Sequence, residues 1–197
     1  MKKAAMFGLD ARIALAIFGA LSVISGAALY SAIQDAKSTA LLTEMNEIGK
    51  AWEQYYLDTG QDLPKNGFTG ADFYILKIPN LVEDTGVSGW KGPYLPYSKN
   101  GTSALLSKDN DNMFLLHITD EENWGGTTDW GAGYCTTGKE CFVWVRIDDF
   151  KTEDLAKGMD NRVDGGDGDS KGKVRWVKVG SVYYYYLQYA AIKNPND

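Results

Sequence analysis

The chain has 197 residues, of which 44% are hydrophobic, and its 26 acidic residues outnumber its 20 basic ones. This length supports one apolar membrane segment and one globular domain with its own core, and we expect no second folded domain. The sequence has no basic tract with interleaved aromatic residues, so no nucleic-acid partner is predicted. A four-ligand zinc site is hard to assemble from one histidine and two cysteines.

The N-terminal part of the chain is apolar, with no charged residue from Ile13 to Ile33. At about 1.5 Å per residue, a helix of this length spans roughly 30 Å of hydrocarbon. Lys2, Lys3 and Arg12 precede the segment, and the positive-inside rule then keeps the N-terminus in the cytoplasm. We therefore predict a single-pass membrane helix that sends the rest of the chain across the bilayer.

A cleaved secretion signal is the alternative interpretation of this segment. Ser25 and Ala27 supply small residues near a possible cleavage point. The apolar stretch is longer than in an ordinary signal peptide, and the helical pattern continues beyond it, which favours an anchor. The two interpretations differ in whether the N-terminal residues remain in the mature chain.

Beyond the apolar segment the helical pattern becomes amphipathic. Apolar side chains recur at spacings of four, three, four and three, which is typical of a helix with one buried face. No proline occurs before Pro64, so the sequence predicts one helix from about Phe7 to Asp58. The apolar stripe consists of Leu41, Met45, Ile48, Trp52 and Tyr55.

The rest of the chain is predicted to be mostly β. Four runs rich in β-branched and aromatic residues are separated by Gly, Asn and Asp clusters; they cover 113–118, 141–147, 173–179 and 181–189. Residues 152–161 predict a short helix, and residues 89–101 an ordered loop that covers the sheet edge. The predicted fold class is therefore α+β, a long N-terminal helix packed on a small antiparallel sheet.

Two features of the predicted strands bear on function. Tyr183–Tyr186 must alternate between both faces of a strand, one toward the helix and the other toward a neighbouring subunit or a bare surface. His117 precedes Asp120 in a strand-like run without a nucleophile motif, so we expect an ordinary strand residue rather than a catalytic base. No catalytic or cofactor-binding residue is predicted, and the chain is not expected to be an enzyme.

The two cysteines are close together in the segment "CTTGKEC". We predict a disulfide between Cys135 and Cys141 across a hairpin, which places this part of the chain outside the cytoplasm. The alternative is a pair of buried, unpaired cysteines in adjacent strands.

An acidic, glycine-rich segment follows the predicted short helix. Its glycines allow tight turns, and its carboxylates are ligands of the type that Ca²⁺ prefers. Arg175 stands where the closing glutamate of an EF-hand would fall, so the segment is not of that type. The alternative is a solvated acidic turn neutralised by Arg162, Lys171 or Lys173. The four candidate ligands are Asp160, Asp164, Asp167 and Asp169.

Several segments together resemble the type IV pilins and type II secretion pseudopilins. The N-terminus has a short basic leader, "MKKAA", and a mature start, "MFGLDARIALAIFG", with an acid in fifth place. "AWEQYYLDTGQDLP" resembles the end of the family's long helix, and "GWKGPYLPY" its Trp-Gly-Pro-Tyr segment. "MDNRVDGGDGDSKGKVR" is similar to the acidic C-terminal loop of the pseudopilins. The resemblance touches most of the chain.

The resemblance implies processing by a prepilin peptidase between Ala5 and Met6, with N-methylation of Met6. Cleavage after Gly8 is the alternative, and it would leave Ile13 in fifth place without an acid. The implied organisation is a leader at 1–5, a transmembrane and assembly helix at 6–34, and a globular domain at 35–197.

Asp10 then has an implied role in filament assembly. A carboxylate in the bilayer costs about 3 kcal/mol near the centre and less near the interface, so it needs a partner. In a filament, the amino group freed at Met6 of one subunit can meet Asp10 of its neighbour. Without the resemblance, Asp10 and Arg12 are equally well explained as interfacial residues that flank an anchor.

The resemblance implies a structural subunit that polymerises into a helical filament. Its partners would be further copies of the chain, the prepilin peptidase and the pilus or secretion assembly machinery. The chain would reside in the inner membrane before assembly and in an extracellular or periplasmic filament afterwards. A type II secretion pseudopilin is the first alternative, and a monomeric, membrane-anchored calcium-binding surface protein is the second. Because some pseudopilins hold calcium in this loop, the resemblance favours Ca²⁺ over a bare acidic turn.

Overall fold

A computed structural model of the chain describes residues 4–107 and 112–197. For residues 4–7, 9 and 149 it describes the backbone alone. The first element, α1, is a 56-residue helix that covers Ala4–Thr59. The predicted helix from about Phe7 to Asp58 is therefore confirmed. The chain divides into two compact units, one that ends at Lys37 and one that covers Ser38–Asp197.

The first unit contains the apolar part of α1. From Asp10 to Ile33 every residue with a described side chain is exposed. Leu15 and Phe18 are 70% and 71% exposed, values typical of side chains with no protein neighbour. By length and composition this helix can cross a membrane.

The second unit contains a seven-stranded sheet in which all paired strands are antiparallel. The strand order is β2-β3-β4-β5-β7-β6, and β1 pairs with β4 outside this path. A second helix, α2, covers Asp154–Val163. The strands are β1 at Ile75–Leu76, β2 at Ser98–Asn100, β3 at Ala104–Leu106, β4 at Met113–Thr119, β5 at Cys141–Phe150, β6 at Val174–Val179 and β7 at Val182–Ile192.

The α+β fold is confirmed, and the four predicted strands correspond to β4, β5, β6 and β7. The strands β1, β2 and β3 were not predicted, because two or three residues are too few to show an alternating pattern. The predicted loop at 89–101 is corrected at its end, where Ser98–Asn100 forms β2 at the sheet edge.

One face of the sheet, here the first face, packs on α1 and α2. All five residues of the predicted apolar stripe on α1 are at most 7% exposed. Burial of each such side chain contributes about 1.5–3 kcal/mol. On the sheet, the same core cluster includes Val143, Val145, Ile147, Tyr185 and Leu187.

Gly49 on α1 is the position where helix and sheet approach most closely among the described glycines. A Cβ atom there would lie 2.1 Å from Cδ2 of Tyr189, so the ring rests directly against the helix backbone. The Tyr189 hydroxyl donates a hydrogen bond of 2.9 Å to Glu53, and its ring makes an edge-to-face contact with Trp52. These contacts fix the position of β7 relative to α1.

The opposite, second face of the sheet is covered by residues 120–134, here called the cover segment. Trp124 and Trp130 of this segment pack against Trp144, Val177 and Tyr186 of the sheet in a separate core cluster. Indole and phenol rings meet edge to face, with Trp124 and Trp144 centroids 4.7 Å apart. Aromatic pairs of this geometry add about 0.5–1.5 kcal/mol beyond their buried area.

The predicted alternation of the tyrosines is confirmed, but the predicted contact of their outer face is corrected. Tyr185 belongs to the core under α1, whereas Tyr186 belongs to the cluster under the cover segment. Tyr186 is 1% exposed, so the chain itself occupies the surface that was expected to meet a neighbouring subunit. The cover segment was not predicted, because its sequence lacks a strand-like pattern.

Candidate functional site

The acidic loop after α2 is the candidate metal site. Asp160 lies in the last turn of α2 and is 3% exposed, and Asp164 caps the helix. Gly165 and Gly168 have φ angles of +73° and +103°, which residues other than glycine rarely adopt. These positions turn the backbone back over the end of α2.

Three carboxylates converge in this loop. One oxygen each of Asp160, Asp164 and Asp167 lies within 4.8 Å of the others. Gly172 supplies the space for this convergence, since a Cβ there would lie 2.8 Å from Oδ2 of Asp164 and 2.9 Å from Oδ2 of Asp167. The loop thus places three anionic oxygens around a common point.

The hydrogen bonds of the triad leave ligand atoms free. Asp160 Oδ2 accepts the Gly168 N–H at 3.1 Å, and Asp164 Oδ2 accepts the N–H groups of Lys173 at 2.9 Å and Val174 at 2.7 Å. The other oxygen of Asp160, Oδ1, is buried and has no hydrogen-bond partner among the described residues. Because a buried polar atom without a partner costs about 1–3 kcal/mol, Oδ1 of Asp160 is a candidate metal-ligand atom.

The electrostatics of the triad also favour a cation. Burial raises the pKa of Asp160, and the negative charges of Asp167 and Asp164 raise it further. In the described part of the chain, the predicted counter-charges Arg162, Lys171 and Lys173 form no ion pair with the triad. The acidic triad can therefore bind a metal ion, which would supply the charge that the side chains do not.

The predicted fourth ligand, Asp169, lies outside the triad. Its carboxylate faces the cover segment, where a Cβ on Gly126 would lie 2.7 Å from Oδ2 of Asp169. Arg175 is also directed to the cover segment, with its guanidinium donating to the carbonyls of Glu121 at 2.7 Å and Trp124 at 3.2 Å. These two residues join the acidic loop to the second face.

The predicted processing and assembly residues lie at the start of α1. Ala5 and Met6 are within the helix, but their side chains are not among those described. Lys2 and Lys3 of the predicted leader lie outside the described residues. Asp10 is exposed on the helix surface.

The predicted disulfide between Cys135 and Cys141 is confirmed. The predicted hairpin is wrong, because Cys141 opens β5, whose two neighbours in the sheet are β4 and β7. Cys135 instead follows Tyr134, which bridges to Thr119 of β4. The disulfide therefore ties the end of the cover segment to the sheet.

His117 lies on β4, as predicted, and contacts Arg146 rather than Asp120. The residue is fully buried, and Nε2 lies 3.4 Å from a guanidinium nitrogen of Arg146. An arginine only donates, so Nε2 accepts and the histidine is neutral with its proton on Nδ1. Burial, together with the positive charge of Arg146, holds the pKa of His117 well below its usual range.

Arg146 pairs with Asp148 two residues along β5. One guanidinium nitrogen lies 2.6 Å from Oδ2 of Asp148, and Nε contacts the other oxygen. Arg146 also lies over the ring of Tyr184, 4.6 Å from its centroid. This pair was not predicted, although Trp144, Arg146 and Asp148 alternate along the strand and share one face.

Comparisons with protein-family models, with curated proteins and with solved structures gave no match.

Proposed function

We propose that this chain is a processed, membrane-inserted subunit of a type IV pilus-like filament. The observation that carries the proposal is the division of one helix, α1, between two environments. Its part from Asp10 to Ile33 is apolar and exposed, whereas its part from Leu41 to Tyr55 supplies the core of a folded domain. An exposed apolar helix needs a bilayer or other helices around it, and a filament core of bundled helices provides the second.

Asp10 gives this proposal its sharpest test. In a bilayer the carboxylate is unfavourable, and docking against the free amino group at Met6 of a neighbouring subunit relieves that cost. Asp10→Ala should leave membrane insertion intact and deplete filaments at least tenfold, a change of about 1.4 kcal/mol or more. Electron microscopy of sheared surface filaments, with mass measurement of the mature N-terminus, checks both expectations.

Asp10→Glu is the matched control, because it keeps the charge and should retain filaments. Normal filament yield from Asp10→Ala would contradict the role of Asp10. A chain that is found only as a monomer, with its N-terminal residues retained, would support the membrane-anchored surface protein instead.

A type II secretion pseudopilin is the second candidate, and the acidic triad favours it. The loop that carries Asp160, Asp164 and Asp167 follows α2 and precedes β6, in the part of the chain that resembles the pseudopilin C-terminal loop. Filaments confined to the periplasm, rather than found at the cell surface, would select this candidate.

We further propose that the metal of the triad is Ca²⁺. Calcium bonds oxygen at about 2.3–2.6 Å in flexible geometry, and three carboxylate oxygens within 4.8 Å of one another can share such an ion. Magnesium requires about 2.0–2.1 Å and near-ideal octahedral geometry, and it suits a loop of irregular backbone less well. The three carboxylates would hold the ion, and backbone carbonyls or water would complete its coordination.

Calcium should therefore stabilise the chain, and the triad should be responsible. At one hundred times its dissociation constant, calcium should add about 2.7 kcal/mol to the free energy of unfolding. Asp160→Asn should abolish this gain, as should Asp164→Asn. In chelator, Asp160→Asn should be more stable than the wild type near pH 7, because burial makes the charged carboxylate unfavourable.

Asp169→Asn is the matched control, since Asp169 lies in the same loop but outside the triad. It should keep the full response to calcium. Thermal unfolding of the full chain in detergent, with calcium, magnesium or chelator, measures all of these differences. Equal melting temperatures with calcium and with chelator would show that the loop is a solvated acidic turn that binds no calcium.

A further inference from the structure

The chain contains two Asn-Gly sequences, one at residues 66–67 and the other at residues 100–101. Asparagine is a thermolabile residue, and a following glycine makes it more so. The backbone nitrogen of the glycine can attack Cγ of the asparagine side chain, because no Cβ atom blocks the approach. A succinimide ring forms, ammonia leaves, and water then opens the ring to aspartate or isoaspartate. The fold decides how easily each sequence reaches the geometry for this attack.

The first Asn-Gly sequence is held in place by Asp72. Asn66 Nδ2 donates a 3.0 Å hydrogen bond to the Asp72 carboxylate, and the Gly67 N–H donates to the Asp72 carbonyl at 3.0 Å. A Cβ atom on Gly67 would lie 2.6 Å from Cβ of Asp72, so the backbone is also closely packed there. Both the attacking nitrogen and the amide nitrogen that would leave are therefore engaged.

The second Asn-Gly sequence lies at the open tip of the hairpin between β2 and β3. Asn100 is the last residue of β2 and pairs with Ala104, the first residue of β3. Both Asn100 and Gly101 are exposed. Apart from the two chain neighbours of Gly101, no atom of the described residues lies within 4 Å of the position of a Cβ on this glycine. The reacting groups therefore have room to approach each other.

Hydrogen bonding restrains this second sequence only weakly. Asn100 Nδ2 lies 3.5 Å from the sulfur of Met113, and a thioether is a weak acceptor. The Gly101 N–H forms no hydrogen bond with the described residues. The same two-residue sequence is thus locked at one place in the domain and free at another.

We propose that Asn100 is a site of spontaneous deamidation, through attack of the Gly101 nitrogen on its side-chain Cγ. A C–N bond forms between these atoms, the bond from Cγ to Nδ2 breaks, and the Gly101 N–H proton leaves with Nδ2 as ammonia. One water molecule then adds across the ring, so the net change is replacement of NH2 by OH. The reaction needs no enzyme, oxidant or metal, and the inference does not rest on the proposed filament.

The products change the edge of the sheet. Aspartate and isoaspartate each add a negative charge to a chain whose net charge is already −6. Isoaspartate also places an additional carbon in the main chain, which disrupts the pairing of residue 100 with Ala104. Because β2 has three residues and lies at the end of the strand order, the change stays local. The hairpin should therefore become more acidic and less ordered as the protein ages, while the core remains folded.

Peptide mapping by mass spectrometry of the aged full chain tests this inference. The folded chain is incubated in detergent, at neutral and at mildly alkaline pH, in water labelled with a heavy oxygen isotope. Asn100 should deamidate about tenfold faster than Asn66 or more, because two hydrogen bonds must break before Asn66 reacts. The product should contain one labelled oxygen and consist of both isomers. Its rate of formation should rise with pH, since the nitrogen attacks after loss of its proton.

Three controls separate the fold from the local sequence. In denaturant, the two Asn-Gly sequences should react at similar rates. In the folded chain, Asp72→Ala should raise the rate at Asn66 and leave the rate at Asn100 unchanged, because it removes the carboxylate that holds the Asn66 amide. Asn100→Gln should give no product at position 100 on the same timescale, since the longer side chain would have to close a larger ring.

The outcomes that overturn the inference are distinct. One is a reaction in the folded chain that is no faster at Asn100 than at Asn66. Another is aspartate without isoaspartate, which would indicate direct hydrolysis of the amide. A faster reaction at Asn100 that keeps the same ratio in denaturant would assign the difference to the flanking sequence instead of the fold. None of these outcomes depends on whether the chain forms filaments, so the proposed function is tested separately.

Discussion

The first face of the sheet is buried against the apolar stripe of α1, whereas the second face is buried against aromatic rings, an ion pair and a neutral histidine. Val145 and Arg146 are consecutive on β5 and lie in these two different environments. Burial of apolar groups is non-directional, so it tolerates substitution by other apolar side chains. Buried polar groups require particular hydrogen-bond or ion-pair partners. A substitution on the second face should therefore lower the free energy of unfolding mainly because it leaves a buried polar partner unpaired.

Removal of Arg146 should have the largest effect. Arg146→Met leaves the Asp148 carboxylate, 3% exposed at its side chain, without its counter-charge. Loss of one partner of a buried pair costs about 3–5 kcal/mol, and unfolding of the full chain by denaturant, followed by tryptophan fluorescence, should show this loss.

The double variant Arg146→Met, Asp148→Leu should recover most of the lost stability, because no charge is then left unpaired. Val145→Ala is the matched control on the first face and should cost about 2 kcal/mol through lost apolar contact, with no recovery from Asp148→Leu. Equal losses without rescue would show that the two faces respond alike.

Removal of the disulfide should have an intermediate effect. A loop as short as Cys135–Cys141 contributes about 2 kcal/mol in the chain-entropy model, so the variant with both residues replaced by serine should still fold. Because the disulfide ties the cover segment to the sheet, the second face should loosen first. Limited proteolysis should then cut within residues 120–134 sooner than elsewhere, and cleavage at unchanged positions and rates would argue against this.

His117 should make stability depend on pH, with the smallest effect of the three near pH 7. Its pKa in the folded chain is lowered by burial and by Arg146, so the unfolded chain binds more protons as the pH falls. Stability should decline below about pH 6.5 by up to about 1.4 kcal/mol per pH unit until the lowered pKa is reached.

His117→Gln should flatten the dependence of the free energy of unfolding on pH below about 6.5, relative to the wild type. The measurement is denaturant unfolding at a series of pH values. Parallel curves for the two proteins would assign the acid sensitivity to carboxylates instead.

The difference between the faces also explains which structural features the sequence predicts. The α1 stripe follows a helical period, and strands β4 to β7 are runs of β-branched and aromatic residues, so local pattern alone places them. The cover segment has no period, and its position depends on contacts between residues far apart in sequence, such as the hydrogen bond from Arg175 to Glu121. Such contacts leave no local signature.

The candidate metal site was predictable in composition but not in geometry. The sequence identifies four nearby aspartates, and the fold selects three of them. The selection depends on where α2 ends, since that puts Asp160 beneath the loop and leaves Asp169 facing Gly126. Helix ends are set by local capping and tertiary contacts together, and sequence patterns locate them only to within a residue or two.

Gly49 illustrates how tertiary contact reverses a local preference. Alanine is the better helix former by about 1 kcal/mol, so an alignment-free stability design would replace this glycine. Its Cβ would enter the space of the Tyr189 ring, which cannot move without losing Glu53 and Trp52. A larger residue at position 49 is therefore compatible with this fold only if Tyr189 is repacked or replaced at the same time. Positions 49 and 189 should change together during evolution.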